Sequence, residues 1–106
     1  MSTIEFDRKV GKQITINRRA EFTFPTKDGE LIEAYNKFPQ QYKVIIGEEI
    51  YSGGLYSNPR PYYYFEIHRN GHNAFFNLVK TLRVFHVKVD LLNKVVYVEN
   101  ISQQAS

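Results

Sequence analysis

The sequence predicts an α+β fold, built on a mostly antiparallel, strongly bent sheet or a small mixed β-barrel of six or seven strands with two short helices. Several short segments alternate apolar and polar residues, which is the period of half-buried strands. Two other segments repeat apolar residues at helical spacing. Strand connections before the first helix and after the second are short, which favours antiparallel pairing. The 106 residues are expected to form a single domain, 1–106, with a frayed tail at 102–106.

The N-terminal part of the chain contains the first predicted strands. Segments Lys12–Asn17 and Ala20–Phe24 both alternate, and Pro25 ends the second because proline cannot donate to a β-ladder. Ile4 and Phe6 are candidates for a short strand that precedes them. The residues predicted to face inward in the two alternating segments are Ile14, Ile16, Phe22 and Phe24.

Two helices are predicted from apolar spacing. The first spans about Asp28–Phe38, with Thr26 or Asp28 as N-cap, and Pro39 stops it. The second and clearer helix spans His72–Leu82, where apolar residues occupy positions i, i+3, i+4 and i+7. Both are short, as expected of helices that cap the ends of a small barrel.

Between these helices the chain is predicted to form strands at Tyr42–Ile46, Ile50–Tyr51 and Tyr62–His68. The intervening segment Ser52–Pro61 is interpreted as a mobile flap, because its two prolines fix φ and forbid a helix. Within it, Gly53–Gly54 is expected to form a turn that needs φ > 0. The chain then ends on a predicted hairpin of two strands, Phe85–Leu91 and Val95–Ile101.

Composition excludes several kinds of function. The chain has no cysteine, which rules out disulfides, thiolate zinc sites and cysteine nucleophiles. No apolar run approaches the roughly 20 residues of a membrane span, and no apolar signal segment is present, so a cytoplasmic protein without a membrane partner is expected. The net charge is +3, and the excess lies in residues 51–106, with six basic and three acidic side chains. This asymmetry favours a polyanionic partner.

The stretch Tyr51–Gly71 is the most informative, because five of the eight tyrosines are interleaved there with arginine and histidine. Stacking rings and planar cations suit a single-stranded nucleic-acid site, and they also suit a protein-binding hot spot. Strand alternation sends every second residue of 62–68 inward, and the others face outward unless a helix covers that face too. The outward or flanking residues are the candidates for binding RNA or a protein partner: Arg60, Tyr62, Tyr64, His68 and Arg69.

In the RNA interpretation, Tyr62 and Tyr64 stand about 7 Å apart along the strand and stack on successive bases. Arg60 and Arg69 would contact phosphates. A small ribonuclease is an alternative, drawn from Glu66, His68, Arg69 and Tyr64, with a carboxylate base, a histidine acid and an arginine that stabilises a phosphorane. Ordinary surface polar residues explain the same pattern.

Other basic and histidine residues carry weaker signals. His68, His72 and His86 could form a metal site only if the Asn70–Gly71 turn did not separate the first two, so neither a metal nor a cofactor is predicted. The basic pairs Arg8–Lys9 and Arg18–Arg19 are interpreted as solvated turns. They would extend a basic surface only if the fold brought them beside Arg60 and Arg69.

The order of elements, the two short helices, the basic aromatic middle and the final VFHVKVD…KVVYVENI hairpin together resemble a PUA-type barrel. More specifically, the chain resembles small regulatory proteins of Gram-positive conjugative plasmids and their chromosomal relatives. The likeness spans roughly Lys12 to Ile101 and rests on layout, without a diagnostic motif. It implies an RNA-binding fold that damps gene expression without catalysis. A protein-interaction module of a mobile element is the alternative.

Overall fold

The computed structural model describes residues 3–25, 29–57 and 62–100, and within them seven strands form one sheet. The strands are β1 (Thr3–Lys9), β2 (Glu21–Thr23), β3 (Tyr42–Ile46), β4 (Glu49–Ser57), β5 (Tyr63–Ile67), β6 (Val84–Asp90) and β7 (Val95–Asn100). The α-helices are α1 (Lys12–Thr15), α2 (Gly29–Lys37) and α3 (His72–Val79), and a 3-10 turn (Arg69–Gly71) leads directly into α3.

The sheet order is β1-β6-β7-β3-β4-β5-β2. All neighbours pair antiparallel except β3 and β7, which are parallel. The predicted α+β class and mostly antiparallel sheet are therefore confirmed. The predicted strand at 42–46, the final hairpin and both predicted helices are present, with α3 ending three residues early. The N-cap candidates Thr26 and Asp28 and the tail at 102–106 lie outside the described residues.

The sheet bends until its two edge strands, β1 and β2, nearly meet and almost close a barrel. Arg8 Nε donates a hydrogen bond to the Thr23 carbonyl oxygen at 2.8 Å. Across the same gap the Phe6 ring lies 6.0 Å from the Phe22 ring and 5.6 Å from the Phe24 ring. Side chains rather than a β-ladder thus bridge this gap, which we call the seam.

Aromatic rings fill the interior of the barrel. Phe65 on β5 is fully buried, stacks on Phe22 at 5.5 Å and meets the edge of Tyr42 at 5.8 Å. Helix α3 adds Phe75, whose ring lies 5.6 Å from Phe85 on β6. Since each aromatic ring buries a large apolar area, the high phenylalanine content is accounted for largely by the core. None of the helices in the described part of the chain is long and apolar enough to cross a membrane.

The predicted strand at 12–17 is wrong, because Lys12–Thr15 forms one turn of α-helix. The Gly11 carbonyl accepts hydrogen bonds from the backbone N–H groups of Ile14 and Thr15. Only Ile14 then reaches the core, whereas Ile16 is 67% exposed. Alternation does not exclude a helical turn, and here the backbone hydrogen bonds to the Gly11 carbonyl determine the outcome.

The predicted flap is wrong for 52–57, which continue β4 opposite β5; residues 58–61 lie outside the described residues. Gly53 and Gly54 do not turn the chain, and among the described glycines only Gly47 has positive φ. A Cβ at Gly53 would lie 2.5 Å from ring atoms of Phe65, and one at Gly54 would lie 2.7 Å from Gln40 Oε1. These glycines allow close packing on the two faces of β4.

Candidate functional site

A groove of about 490 Å³ opens at the seam, between the β1–α1 segment and the β2–β5 edge. Its lining includes four basic side chains: Arg8, Lys9, Lys12 and Arg19. It also includes two tyrosines, Tyr62 and Tyr64, and one acidic residue, Glu21. We call this the seam groove. Its volume falls in the range of about 300–1,000 Å³ that is usual for ligand sites.

The basic side of the seam groove is built by the end of β1 and by the segment that connects β1 to β2. Arg8 and Lys9 end β1, Lys12 begins α1, and Arg19 precedes β2. The hydrogen bond to Thr23 and the Phe6 ring, 5.2 Å from the Arg8 guanidinium carbon, hold Arg8 in place. A guanidinium has five N–H donors, and the Nε bond uses only one, so Arg8 retains donors for an anion.

Arg18, the neighbour of Arg19, has a different role. It adopts a left-handed backbone conformation, with φ of 56°. Its guanidinium lies 4.0 Å above the Phe76 ring of α3, within the distance of a cation–π contact. The loop that carries Arg19 is thereby attached to the body of the protein.

The aromatic side of the seam groove comes from β5. Tyr62 is 36% exposed and Tyr64 is partly buried. The Tyr64 ring stacks on Tyr56 of β4, with centroids 5.6 Å apart and an interplanar angle of 23°. The Tyr56 hydroxyl donates to Gln40 Oε1 at 3.1 Å. Tyr64 is therefore held in a fixed orientation before any ligand binds.

Two carboxyl groups lie at the edge of the tyrosine stack. Glu21 on β2 pairs with Glu66 on β5, and the next pair on the same face is Thr23 with Tyr64. Burial raises the pKa of Glu21, Arg19 opposes the shift, and the like charge of Glu66 adds to it. Burial also raises the pKa of the Tyr64 phenol, followed by the nearby carboxylates of Glu21 and Glu66.

The structure separates the residues predicted to form one site. Tyr62 and Tyr64 line the seam groove, but the lining does not include His68 or Arg69. His68 Nδ1 lies 3.1 Å from Ser52 Oγ, and Arg69 is exposed at the start of the 3-10 turn. Arg60 lies outside the described residues.

The three histidines occupy separate environments. His72 Nε2 donates to the Ile67 carbonyl oxygen at 2.9 Å, and the Nδ1 of buried His86 donates to Asp7 Oδ1 at 2.7 Å. His86 Nε2 lies 3.4 Å from Glu5 Oε2, yet among the described residues it has no partner with hydrogen-bond geometry. No three or more His, Cys, Asp or Glu residues in 3–25, 29–57 and 62–100 are arranged to hold a metal ion.

The basic side of the groove is what sequence reasoning missed. Arg8 and Lys9 lie in a strand, so their interpretation as a solvated turn is wrong. They approach Tyr62 and Tyr64 because the barrel nearly closes, whereas Arg19 precedes β2, which pairs directly with β5. Residues 1–50 have a net charge of zero, so the net charge gave no sign of a local basic cluster. The only available signal was that basic residues recur on both sides of the segment 10–17.

Comparison with known proteins gives no family: no protein-family model matches the chain, and neither a curated protein nor a solved structure matches it significantly. The fold and the groove define the chain as a small α+β protein with a nearly closed seven-stranded barrel. The residues that line the groove are therefore the basis for the proposed function.

Proposed function

We propose that the protein binds single-stranded RNA, or the unpaired loops of structured RNA, in the seam groove and damps gene expression without catalysing a reaction. The observation that supports the proposal is the juxtaposition of four basic side chains with two tyrosine rings. These groups come from opposite edges of the sheet, β1 and β2–β5. The regulatory role rests on the resemblance of the layout to PUA-type regulators.

The two sides of the groove match the two parts of a nucleotide. A base stacked on an aromatic ring contributes about 1–3 kcal/mol, and every base has a face that can stack. Lys9, Lys12 and Arg19 are exposed, as phosphate-binding cations must be. Phosphate contacts release counterions, so the affinity should fall as salt rises.

The test is fluorescence anisotropy with labelled RNA oligomers over a range of salt. We expect salt-sensitive binding, and the double variant Tyr62→Ala/Tyr64→Ala should weaken it by roughly 5- to 150-fold for each base stack lost. Lys12→Ala/Arg19→Ala should also reduce the slope against salt. Lys43→Ala is the matched control, because Lys43 is exposed on β3, away from the seam. Absence of salt-sensitive binding below about 10 µM would exclude the proposal.

A protein-interaction module is the second candidate, and two exposed apolar side chains beside α2 favour it. Phe38 and Leu92 are both exposed at a cavity of about 310 Å³, and Lys94 Nζ lies 3.9 Å above the Phe38 ring. A partner captured from a native lysate after ribonuclease treatment, and lost on Phe38→Ser/Leu92→Ser, would favour this function over RNA binding.

The ribonuclease alternative needs Glu66 and His68 to act on one phosphate. His68 instead contacts Ser52 outside the groove lining. Incubation of labelled RNA with the pure protein tests this alternative directly, and cleavage that is lost on His68→Ala would support it.

A further inference from the structure

We propose that the seam groove selects guanine, with the Glu21 carboxylate accepting hydrogen bonds from the N1–H and the N2 amino group of a base stacked on Tyr64. The inference rests on the proposed RNA-binding function and specifies the base that the groove binds. It follows from three features: the position of Glu21 in the groove, its relation to Tyr64, and the hydrogen-bonding pattern of the four bases.

The position of Glu21 is unexpected for a site that binds phosphates. It is the acidic residue among groove-lining side chains that are otherwise basic, aromatic, apolar or uncharged. A carboxylate repels phosphate and lowers the affinity for any polyanion. It is compatible with RNA binding where the ligand presents hydrogen-bond donors, and in RNA strong donors lie on the bases and the 2′-hydroxyls.

Strand pairing places Glu21 at the edge of the stacking surface. Glu21 is paired with Glu66, and Tyr64 is paired with Thr23, two positions along on the same face. Glu21 and Tyr64 are thus diagonal neighbours across the strand pair. Diagonal neighbours in antiparallel strands generally lie about 7–8 Å apart. A base that covers the Tyr64 ring therefore extends its edge toward the Glu21 carboxylate.

Tyr56 covers one face of the Tyr64 ring, and Tyr64 lines the seam groove whereas Tyr56 does not. The proposal places the base against the part of the Tyr64 ring that borders the groove, beside Thr23, which is paired with Tyr64 across the strands and also lines the groove. Tyr62, exposed at the mouth of the groove, is placed to stack on a neighbouring base.

The base chemistry then favours guanine. A carboxylate has two acceptor oxygens side by side and no donor. The Watson–Crick edge of guanine presents two adjacent donors, N1–H and the N2 amino group, and matches both oxygens. Adenine and cytosine place a ring acceptor beside their one amino group, and uracil places carbonyls on both sides of its N3–H. Charge-assisted hydrogen bonds of this paired kind are stronger than hydrogen bonds between neutral groups.

Arg19 supports the carboxylate in this role. Burial raises the pKa of Glu21, and the like charge of Glu66, its strand partner, adds to the shift, whereas Arg19 lowers the pKa and so favours the charged form. Glu66 cannot donate a hydrogen bond to Glu21 while both are ionised. The acceptor oxygens of Glu21 are therefore not used by its strand partner.

The test compares uridine-rich RNA oligomers of equal length that carry a single guanosine, inosine or adenosine. We expect the guanosine oligomer to bind roughly 5- to 150-fold more tightly than the adenosine oligomer. The affinity of the inosine oligomer should lie between those of the other two, because inosine lacks the N2 amino group. Glu21→Gln should remove the preference for guanosine, because the amide has one acceptor oxygen in place of two. Glu33→Gln, an exposed glutamate on α2, is the control and should preserve the preference.

The outcomes separate the two proposals. Equal binding of the three oligomers, or a guanine preference that survives Glu21→Gln, would overturn the guanine assignment and leave RNA binding intact. Failure of all three oligomers to bind would overturn both the guanine assignment and the proposed function.

Discussion

At the scale of single residues, Tyr42 has a ring that stabilises the fold and a buried hydroxyl that destabilises it. The residue is 2% exposed, and its ring packs edge-on against Phe65. Among the described residues its buried hydroxyl has no hydrogen-bond partner, and burial raises the pKa of Tyr42 to about 12. A buried hydroxyl without a partner opposes folding, whereas the ring favours it.

Replacing Tyr42 by phenylalanine should therefore stabilise the protein. The gain in the free energy of unfolding should reach about 1–3 kcal/mol at pH 7, measured by urea denaturation. Because the folded-state pKa lies above the ordinary tyrosine value of about 10, the wild type binds its phenolic proton more tightly when folded. It should lose stability as pH rises from 10 toward about 12, so the advantage of Tyr42→Phe should grow over that window.

Tyr62→Phe is the control, because the Tyr62 ring is exposed. It should leave the free energy of unfolding within about 0.5 kcal/mol of wild type. If Tyr42→Phe instead destabilises the protein by more than about 1 kcal/mol, the hydroxyl makes a hydrogen bond in solution and its burial is not a cost.

At the scale of elements, β4 and β5 depend on close approach. Gly53 lies opposite Ile67 of β5, and the Phe65 ring occupies the space that a side chain at Gly53 would fill. This packing explains why residues 52–57 form a strand although their glycines and the prolines that follow predicted a flap. The rigid β4–β5 pair in turn carries the stacked Tyr56 and Tyr64 rings.

Gly53→Ala should destabilise the protein by about 1–3 kcal/mol, the usual cost of overpacking a core. The physical reason is the contact of 2.5 Å that the new methyl group would make with the Phe65 ring. Thermal unfolding followed by circular dichroism measures the effect. Gly29→Ala is the matched control, since a Cβ at Gly29 meets nothing within 4 Å and the residue begins α2. A Gly53→Ala protein as stable as wild type would show that Phe65 can move aside.

At the scale of the whole molecule, near-closure of the sheet assembles the candidate site. The edges β1 and β2 are linked by the bond from Arg8 to Thr23 and by the rings of Phe6, Phe22 and Phe24. This closure brings Arg8 and Lys9 at the end of β1 to the groove that Tyr62 and Tyr64 line. The groove therefore depends on the tertiary fold and is not a property of a single segment.

The sequence predicts the parts of the site that depend on local periodicity. Alternation over 62–68 assigns Phe65 and Ile67 to the core and Tyr62 and Tyr64 to the outer face, and the structure agrees. The fold class and most strands follow from the same signal. Periodicity works here because a strand with one buried face must alternate.

The remaining parts depend on contacts between distant residues, which periodicity does not encode. Ile14 and Ile16 alternate like a strand, yet hydrogen bonds to the Gly11 carbonyl form a helical turn that buries only Ile14. The sequence predicts a turn at Gly53, because its packing against Phe65 involves another strand and local periodicity does not encode that contact. The sequence does not place Arg8 in a groove with Tyr64, because the near-closure of β1 on β2 that brings them together is a long-range event.

The seam groove is the proposed site of RNA binding. Titration of the isotopically labelled protein with a single-stranded RNA oligomer, followed by NMR, tests this location. Backbone amide signals of residues 8–12, 19–23 and 62–64 should shift together and saturate together, while those of Tyr42–Ile46 on β3 stay in place. Shifts confined to the surface of Phe38 and Leu92, or to His68 and Arg69, would contradict the claim, and so would a spectrum that RNA leaves unchanged.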